Sequence, residues 1–571
     1  FIQPGVLLDG GSNTLQYAGV RLDYPSILAF APGVGTYYVG GIYVTNRQTQ
    51  VLQDTSGGPI TLALGDRNDS ISLGPVLTGS GNFTKVGTGT LTLTNAQAYA
   101  GATTVNTGTL KIGDGVNDGA ITNSSGITLG ASGTLAYNTL SSPTSSVPLY
   151  GSGYLTKAQP STLTLNAYST SNNAVTVSAG TLAINGGNYM GGSFTVAAGA
   201  QLAFNGGSGT GATFNVSSVL PVQITGGTHQ FASPIGQNNI RYVQTGGASQ
   251  FIGAQGQGNT NVIFATISGG SMRVANIGDW PQGLGLLISS NAAVTICDNG
   301  SKAQRLASDG RSHTIIVTNN ATLTADSLTL ISNGSPSSTG RLDLAGGVFA
   351  TGSINNSNGN DSNRVIVAFN GGLLKLTTST TIVASPFSTF YVLEGGARID
   401  GGSLQTQINQ PLVNGTGGGV DGGFAKYGAN VLVLATNATY TGLTTAKAGT
   451  LRTTSADGAP FGSGSVFLNG GTLQTQPAGS GLTVNLAFAN GDATKTFAYG
   501  AGPSTFSFSR MSDSSATVTI GNSGASAYSV FVRTNNGVLA VTPANGTGAS
   551  SLGVNEKVVV NGGVATVNGM V

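Results

Sequence analysis

Hydrophobic and polar residues alternate in short runs along most of the chain. In residues 81–111, GNFTKVGTGTLTLTNAQAYAGATTVNTGTLK, Leu91 and Leu93 alternate with threonines, as a half-buried β-strand requires. Gly108 stands directly before a second run that contains Leu110, which predicts a turn followed by another strand. No run of ten or more residues shows helical periodicity, so the pattern predicts an all-β chain almost without helix.

The same segment returns twice more in the chain. GYLTKAQPSTLTLNAYSTSNNAVTVSAGTLA at 153–183 and GGFAKYGANVLVLATNATYTGLTTAKAGTLR at 422–452 align with it without a gap. We therefore expect equivalent core and turn positions in all three copies. The predicted core residues are Leu91, Leu93, Leu110, Leu163, Leu165, Leu182, Leu432, Leu434 and Leu451, and the predicted turn residues are Gly108, Gly180 and Gly449.

A looser rhythm, glycine followed by a short alternating run, continues through most of the remaining sequence. Many of its steps, such as those from Gly226 to Gly246 and to Gly269, fall between 20 and 28 residues. That is about the length of one coil of a β-solenoid, in which each coil covers the hydrophobic face left open by the preceding coil. The repeats therefore predict a stack of coils rather than a single globular site.

The composition supports a folded chain and excludes several classes of function. Of the 571 residues, 91 are glycine, 39% are hydrophobic and only 7% are charged, and the hydrophobic residues come as alternations rather than as a depleted background. The net charge of +2, with scattered Arg and Lys, gives no electrostatic footprint for nucleic acid or an anionic membrane. No apolar stretch approaches the ~20 residues of a membrane-spanning helix.

Three regions are expected along the chain. Residues 1–75 contain no full repeat and are rich in aromatic residues. We interpret them as an N-terminal cap or coupling segment, because the first coil of a solenoid must be covered or paired. Residues 76–460 are predicted to be the solenoid repeat region, and residues 461–571 the terminal coils or a small C-terminal β-module. The sequence starts at Phe1 without a signal-peptide pattern, so we expect a processed or truncated chain, with export as a hypothesis.

One phrase of the first copy resembles the autotransporter-associated β-strand repeat. It consists of the run from Gly87 to Leu93, then Tyr99, Gly101, Thr103 and Val105, then Gly108 to Leu110. The copy at 422–452 carries the pattern well, whereas the copy at 153–183 has Ser171 and Asn173 at the positions of the tyrosine and the first following glycine. The resemblance implies a right-handed parallel β-helix, displayed extracellularly or on the surface of a bacterial cell.

Residues suited to catalysis or metal binding are few. The only histidines and glutamates are His229, His313, Glu394 and Glu556, which lie far apart and are interpreted as ladder or surface residues. Asp66 with Asp69, and Asp114 with Asp118, are the best local carboxylate pairs, but we favour Asx turns for both. We therefore expect no catalytic residue, no cofactor and no metal ligand.

Three kinds of function fit these patterns. The favoured one is a secreted structural protein that forms or decorates an extracellular fibre or cell-surface layer, through head-to-tail self-association into a filament by its terminal strand edges. The alternative is a surface adhesin that binds cell-surface glycans or host surfaces. A β-helix enzyme that degrades polysaccharides is the least favoured, since it requires several Asp residues gathered in one groove.

Overall fold

A computed structural model of the chain consists of β-strands joined by turns, with no helix among the residues that it describes. Those residues are 5–44, 48–217, 220–232, 240–252, 262–274, 284–296, 304–305, 313–331, 339–356, 365–377, 388–402, 405–454, 461–464 and ten short strands between 466 and 567. The chain divides into two compact units, 1–254 and 255–571. The predicted all-β class is confirmed.

The strands of the first unit are short and follow one another at turn-length intervals. They are β1 (Val6–Asp9), β2 (Leu15–Leu22), β3 (Ile27–Phe30), β4 (Thr36–Val44), β5 (Thr49–Val51), β6 (Thr61–Leu64), β7 (Ile71–Leu73), β8 (Val76–Thr78), β9 (Asn82–Lys85), β10 (Thr90–Leu93), β11 (Ala96–Gln97), β12 (Thr103–Ile112), β13 (Ala120–Ile121), β14 (Ile127–Tyr137), β15 (Thr144–Ser145), β16 (Leu149–Gly151), β17 (Tyr154–Lys157), β18 (Thr162–Leu165), β19 (Ala174–Val177), β20 (Thr181–Ile184), β21 (Asn188–Met190), β22 (Ser193–Val196), β23 (Gln201–Phe204), β24 (Ser208–Val216), β25 (Val222–Ile224), β26 (Thr228–Phe231), β27 (Tyr242–Gln244) and β28 (Ala248–Phe251).

Every pairing between the described strands of this unit is parallel. One ladder runs β7–β10–β12–β14–β17–β19–β22–β24, and a second runs β15–β18–β20–β23–β25–β27. Paired residues are separated by one coil of sequence, from 19 residues between Thr90 and Thr109 to 27 between Thr49 and Val76. Parallel strands joined by a full coil define a β-solenoid. This confirms the predicted architecture.

The second unit contains the remaining described strands. They are β29 (Val262–Ile267), β30 (Ser271–Val274), β31 (Leu284–Ile288), β32 (Ala293–Ile296), β33 (Gln304–Arg305), β34 (His313–Thr318), β35 (Thr322–Ala325), β36 (Leu328–Ile331), β37 (Gly340–Ala345), β38 (Val348–Thr351), β39 (Ile354–Asn356), β40 (Val365–Phe369), β41 (Leu373–Leu376), β42 (Ser388–Val392), β43 (Ala397–Asp400), β44 (Thr406–Ile408), β45 (Leu412–Asn414), β46 (Phe424–Tyr427), β47 (Val431–Leu434), β48 (Thr444–Ala446), β49 (Thr450–Thr453), β50 (Val466–Leu468), β51 (Thr472–Thr475), β52 (Val484–Asn485), β53 (Phe497–Tyr499), β54 (Thr505–Ser509), β55 (Thr517–Ile520), β56 (Ser529–Arg533), β57 (Val538–Val541), β58 (Lys557–Asn561) and β59 (Val564–Val567).

These strands also form parallel ladders. One runs β30–β32–β35–β38–β41–β43–β46–β48–β50–β53, and a second runs β29–β31–β34–β37–β40–β42–β45. A third runs β44–β47–β49–β51–β54–β56–β58, and two shorter ladders run β33–β36–β39 and β52–β55–β57–β59. The second unit is therefore built on the same principle as the first.

The core of the first unit is made of columns of equivalent side chains. In the first ladder, inward-facing residues that follow one another in register are Leu91, Leu110, Leu135, Leu155, Val175 and Phe194. Each is at most 1% exposed. Stacking at strand spacing lets every coil bury the apolar edge of its neighbour, which is the main stabilising contribution in a solenoid.

The turns stack as well as the strands. Asn185 donates a side-chain hydrogen bond of 3.2 Å to Asn166, Asn205 donates one of 3.0 Å to Asn185, and Thr225 donates one of 2.8 Å to Asn205. The next residue after Asn205 is Gly206, where an added Cβ would lie 2.1 Å from the carbonyl oxygen of Asn185. The coils approach so closely at this corner that only glycine fits.

Strands from residues 1–75 share ladders with the first repeat. β4 pairs with β6 and β6 with β9, while β7 pairs with β10. The aromatic segment thus continues the parallel stacking within the first unit. The functional boundaries at residues 75 and 460 stay a prediction, and most of 461–571 lies outside the described residues.

Replacing Leu163 tests the column packing. Leu163 is fully buried in β18, between its ladder neighbours, whereas Thr164 beside it is half-buried. We expect Leu163→Ala to lower the free energy of unfolding by about 2–5 kcal/mol, because it leaves a cavity between coils. Thr164→Ala is the matched control and should change it by no more than about 0.5 kcal/mol. Urea denaturation and hydrogen exchange of the flanking strands measure both; equal effects of the two variants would contradict the packing.

Candidate functional site at the repeat turns

The nine repeat leucines lie inside the coils. Leu91, Leu93, Leu110, Leu163, Leu165, Leu182, Leu432, Leu434 and Leu451 are each at most 3% exposed. Within each copy the two strands of the motif are ladder neighbours, so that Leu91 pairs with Leu110, and Leu432 with Leu451. One copy of the motif therefore spans the contact between two successive coils.

The three turn glycines occupy the left-handed region of backbone conformation. Gly108 and Gly180 have φ of 67° and Gly449 has φ of 61°. A Cβ on Gly108 would lie 2.4 Å from the carbonyl oxygen of Gly87. Both the positive φ and the close approach of the preceding coil exclude a side chain at this position.

A buried lysine binds each of these turns. In the first copy, Lys85 Nζ donates to the carbonyl oxygens of Val86 at 2.6 Å and Gly87 at 2.7 Å, and to that of Thr107 in the next coil at 3.4 Å. Lys85 is 1% exposed. The ammonium group therefore connects the turn of its own coil to the turn of the following coil.

The other two copies reproduce this geometry. Lys157 Nζ donates to the carbonyl oxygens of Gln159 and, at 3.4 Å, of Ala179. Lys426 Nζ donates to the carbonyl oxygens of Gly428 and, at 2.8 Å, of Ala448. In all three copies one acceptor lies two residues after the lysine, and the other lies in the next coil directly before the turn glycine.

Burial makes these ammonium groups weaker bases than free lysine. It lowers the pKa of Lys85 and Lys426 to about 8, against the attraction of Asp66 and Asp400 respectively. It lowers the pKa of Lys157 as well. Charge-assisted hydrogen bonds to carbonyl oxygens compensate for the lost hydration. Because each lysine donates to carbonyl groups of two successive coils, it is arranged as a crosslink between coils rather than as a nucleophile.

A buried tyrosine closes another corner of the same repeats. The hydroxyl oxygens of Tyr99 and Thr103 lie 2.6 Å apart, within hydrogen-bond distance. The hydroxyl oxygens of Tyr440 and Thr444 are separated by the same distance. The copy at 153–183 lacks this tyrosine. There Tyr168, fully buried, donates a 2.7 Å hydrogen bond to Asn173. The sequence departure at this copy is thus accompanied by a different buried pair that fills the same kind of corner.

The candidate carboxylates are each engaged by hydrogen-bond donors or by an ion pair. Asp114 accepts hydrogen bonds from the backbone of Asn117 and Val116, which lower its pKa to about 2. Asp118 instead accepts from the backbone of Leu140 and Ser141 in the following coil. Asp66 accepts from Gln16 and Asp69 from Arg67.

The described residues contain no group of three or more His, Cys, Asp or Glu that could hold a metal ion. Nor does any helix in that part of the chain have the length and apolarity needed to cross a membrane. Glu394 lies exposed in a turn. Glu556 and the side chain of His313 lie outside the described residues.

His229 is buried among aromatic rings in the first unit. Its Nδ1 is 3.2 Å from the hydroxyl of Tyr189 and its Nε2 is 3.0 Å from the carbonyl oxygen of Gly226. This geometry fits a neutral imidazole that donates through Nε2 and accepts at Nδ1. Burial lowers the pKa of His229, although the hydrogen bond to Gly226 opposes the shift. The ring of Tyr189 reaches His229 across the intervening coil, where a Cβ on Gly209 would lie 1.9 Å from that ring.

Comparison with known families agrees with the repeat pattern. Residues 83–112, 155–184 and 424–452 each match the family model described as the passenger-associated-transport-repeat. These segments coincide with the three copies found in the sequence, which confirms the predicted resemblance. No curated protein and no solved structure matches the chain.

Removing one lysine tests the crosslink between coils. Lys85→Met keeps most of the buried volume but removes the ammonium donor from the carbonyl oxygens of Val86 and Gly87, of which Gly87 retains the Thr107 hydroxyl. We expect the free energy of unfolding to fall by about 1–3 kcal/mol, the usual penalty for stranding a buried polar group. Lys111→Met, at a half-buried position of β12, is the control and should have little effect. Chemical denaturation checks both; an unchanged Lys85→Met variant would exclude a stabilising role.

Acid should weaken the first unit through His229. The pKa of His229 in the folded state lies below the ordinary value of 6.5. Just below pH 6.5 the unfolded state therefore binds more protons than the folded state. The free energy of unfolding is then expected to fall as the pH decreases from about 7 to about 5. We expect His229→Phe to lose this dependence and Tyr189→Phe to retain it. Unfolding measured across this pH range decides; an unchanged slope in His229→Phe would assign the dependence to other groups.

Proposed function

We propose that this chain is a secreted structural β-solenoid that forms or decorates an extracellular fibre or cell-surface layer by head-to-tail assembly. The repeat matches and the solenoid fold fit an autotransporter passenger domain, which supports an extracellular or cell-surface location. The observation that carries the assembly step is the outer edge of β1. In this proposal residues 1–75 act as the coupling segment.

The outer edge of β1 is an open strand edge. The carbonyl oxygens of Gly5 and Asp9 accept from Ile27 and Ala31 of the β3 segment, so the alternate residues Val6 and Leu8 direct their backbone groups away from β3. Their side chains are 63% and 55% exposed. Within the described residues no strand pairs with this edge. An apolar open edge of this kind is a template for pairing with another chain.

Open strands in the second unit provide the other surface that this proposal needs. β58 and β59 are the last described strands of their ladders, each paired on one side only. An edge that receives a different edge makes a heterologous contact, and such contacts propagate into filaments when they do not close. The low charge of the chain gives weak repulsion between copies.

A role in binding glycans or host surfaces is the second candidate. Tyr150 and Tyr154, close in sequence, are 43% and 49% exposed. Tyrosine rings at a surface can stack on sugar rings while their hydroxyl groups form hydrogen bonds. This observation favours an adhesin over a purely structural rod, but it involves two side chains only, whereas the edge of β1 involves a whole strand.

We also propose that the chain is not an enzyme. A glycosidase needs one carboxyl group that remains protonated near neutral pH and a second carboxylate a few ångströms away. Asp114, with a pKa of about 2, is ionised at neutral pH, and two backbone N–H groups and the Asn117 side-chain amide occupy its oxygens. The other candidate pair, Asp66 and Asp69, is engaged by Gln16 and Arg67.

Charging the open edge tests the assembly proposal. We expect Val6→Lys with Leu8→Lys to require about tenfold or more protein before it self-associates, because lysines on an edge strand oppose pairing. Val116→Lys is the matched control, since Val116 is 78% exposed in a turn away from this edge. Sedimentation velocity and negative-stain microscopy measure assembly. Filaments that form equally well from the charged variant, or a wild-type chain that stays monomeric at high concentration, would refute assembly through β1 and favour the adhesin.

A further inference from the structure

A second opening in the first unit lies between β3 and β5. These strands belong to successive coils and would be expected to pair, yet β3 pairs only with β1 and β5 only with β8 in the described residues. The space between them is a cavity of about 260 Å³, lined by β3, β5 and residues 53–55. We call this cavity the β3/β5 slot.

The backbone groups that face the slot follow from the pairing on the other side. In a parallel ladder, the N–H and C=O of one residue face one neighbour and those of the next residue face the other. Ile27 and Ala31 donate to the β1 segment, so Leu28 and Phe30 face the slot, and the Phe30 carbonyl oxygen already accepts a 2.9 Å hydrogen bond from the N–H of Thr55 at one end of it. On the opposite wall, the carbonyl oxygen of Gln48 and the N–H of Leu52 bond to the β8 segment, so Thr49 and Val51 face the slot.

Two glutamine side chains stand in the place of an inserted strand. The Gln50 amide donates to the carbonyl oxygens of Leu28 at 2.9 Å and Val51 at 3.1 Å, one on each wall. The Gln48 amide, oriented to satisfy its neighbours, donates to the carbonyl oxygen of Ser26 at 2.8 Å and accepts from the N–H of Tyr24 at 3.1 Å. Side-chain amides thus make the contacts that the peptide groups of another strand would make.

We propose that the β3/β5 slot binds an extended strand, three or four residues long, contributed by a second polypeptide. Such a strand replaces the Gln50 side chain as the partner of Leu28 and Val51, with its own N–H and C=O groups directed alternately at β3 and β5, and it ends where Thr55 bonds to Phe30. This interaction is separate from the outer edge of β1 and does not require filament assembly.

The surroundings of the slot define the side chains of the bound strand. Ile27 and Val51 flank its outer face and are 48% and 42% exposed, which suits β-branched or apolar residues on the bound strand. At one end, the Asp54 carboxylate accepts hydrogen bonds from Ser56 and Gly58. Its negative charge disfavours an acidic side chain there. The preferred partner is therefore a neutral or basic β-strand.

A proline substitution can remove a donor from the slot without disturbing the pairing between β5 and β8. Val51→Pro eliminates the slot-facing N–H but keeps the carbonyl oxygen that accepts from Gln50. Leu8→Pro makes the same change on the outer edge of β1, which faces away from β3. The two variants form a matched pair that distinguishes the slot from the edge.

The test uses the full chain and a fluorescein-labelled, end-blocked heptapeptide of alternating threonine and valine. We expect saturable binding by fluorescence anisotropy to wild type and to Leu8→Pro, and binding at least about tenfold weaker to Val51→Pro. The same peptide with N-methyl groups on alternate residues should bind weakly to all three proteins. Absence of saturable binding to folded wild type, or equal binding to Val51→Pro, would overturn the proposal.

Hydrogen exchange provides a readout that does not depend on a variant. The peptide should slow exchange of the Leu28, Phe30, Thr49 and Val51 amides in wild type, and lack of this protection would also overturn the proposal. Self-association is measured separately by sedimentation. Loss of assembly in Leu8→Pro with retained peptide binding would support the slot independently, whereas the failure of filament assembly alone has no bearing on it.

Discussion

The parallel backbone ladder is the constraint on which the rest of this structure depends. Each strand bonds to the equivalent strand one coil away, so residues far apart in sequence become direct neighbours. Leu91 packs above Leu110, and Asn205 bonds to Asn185, for this reason. A slip of one residue would exchange the interior leucines with the threonines between them. Register therefore determines both the core and the polar columns at the turns.

The corners of the coils are where this ladder is most demanding. Strand backbones satisfy one another, but carbonyl groups at a turn diverge and must find other donors. Lys85, Lys157 and Lys426 provide those donors from inside the coil. Burying an ammonium group is unfavourable by several kcal/mol, and hydrogen bonds to two coils offset that penalty. If the lysine side chain were lost, these carbonyl groups would lose the ammonium donor and would remain buried, with no water to replace it.

The alternation of residues predicted the strands and the stacking of coils, because a strand with one buried face has a period of two. It could not predict that Leu91 and Leu110 of the same copy are neighbours, since periodicity carries no information about pairing. Thr92 shows another limit: alternation directs it outward, yet it is only 9% exposed. Neighbouring coils bury this side chain, and the alternation within one strand carries no information about those neighbours.

The buried lysines were missed, and His229 was predicted only as a ladder or surface residue, although a signal for burial existed. Lys85 lies two residues after the buried Phe83 and therefore on the same face of its strand. His229 lies two residues before the buried Phe231 and shares its face in the same way. Residue type suggested exposure, because charged and polar residues usually lie at the surface. The face of the strand on which a residue lies was the better predictor of its burial. The slot between β3 and β5 had no such signal, because the spacing between two strands is a property of the fold.

The reach of the buried lysines has a consequence for how such a chain can change in length. Each ammonium group binds one acceptor two residues ahead and another in the next coil, immediately before the turn glycine. A single residue inserted between those acceptors would displace one of them and twist the stack out of register. A duplicated coil would leave every lysine with both acceptors. Growth and shortening are therefore expected to occur in whole coils, with single insertions confined to loops that project from the stack.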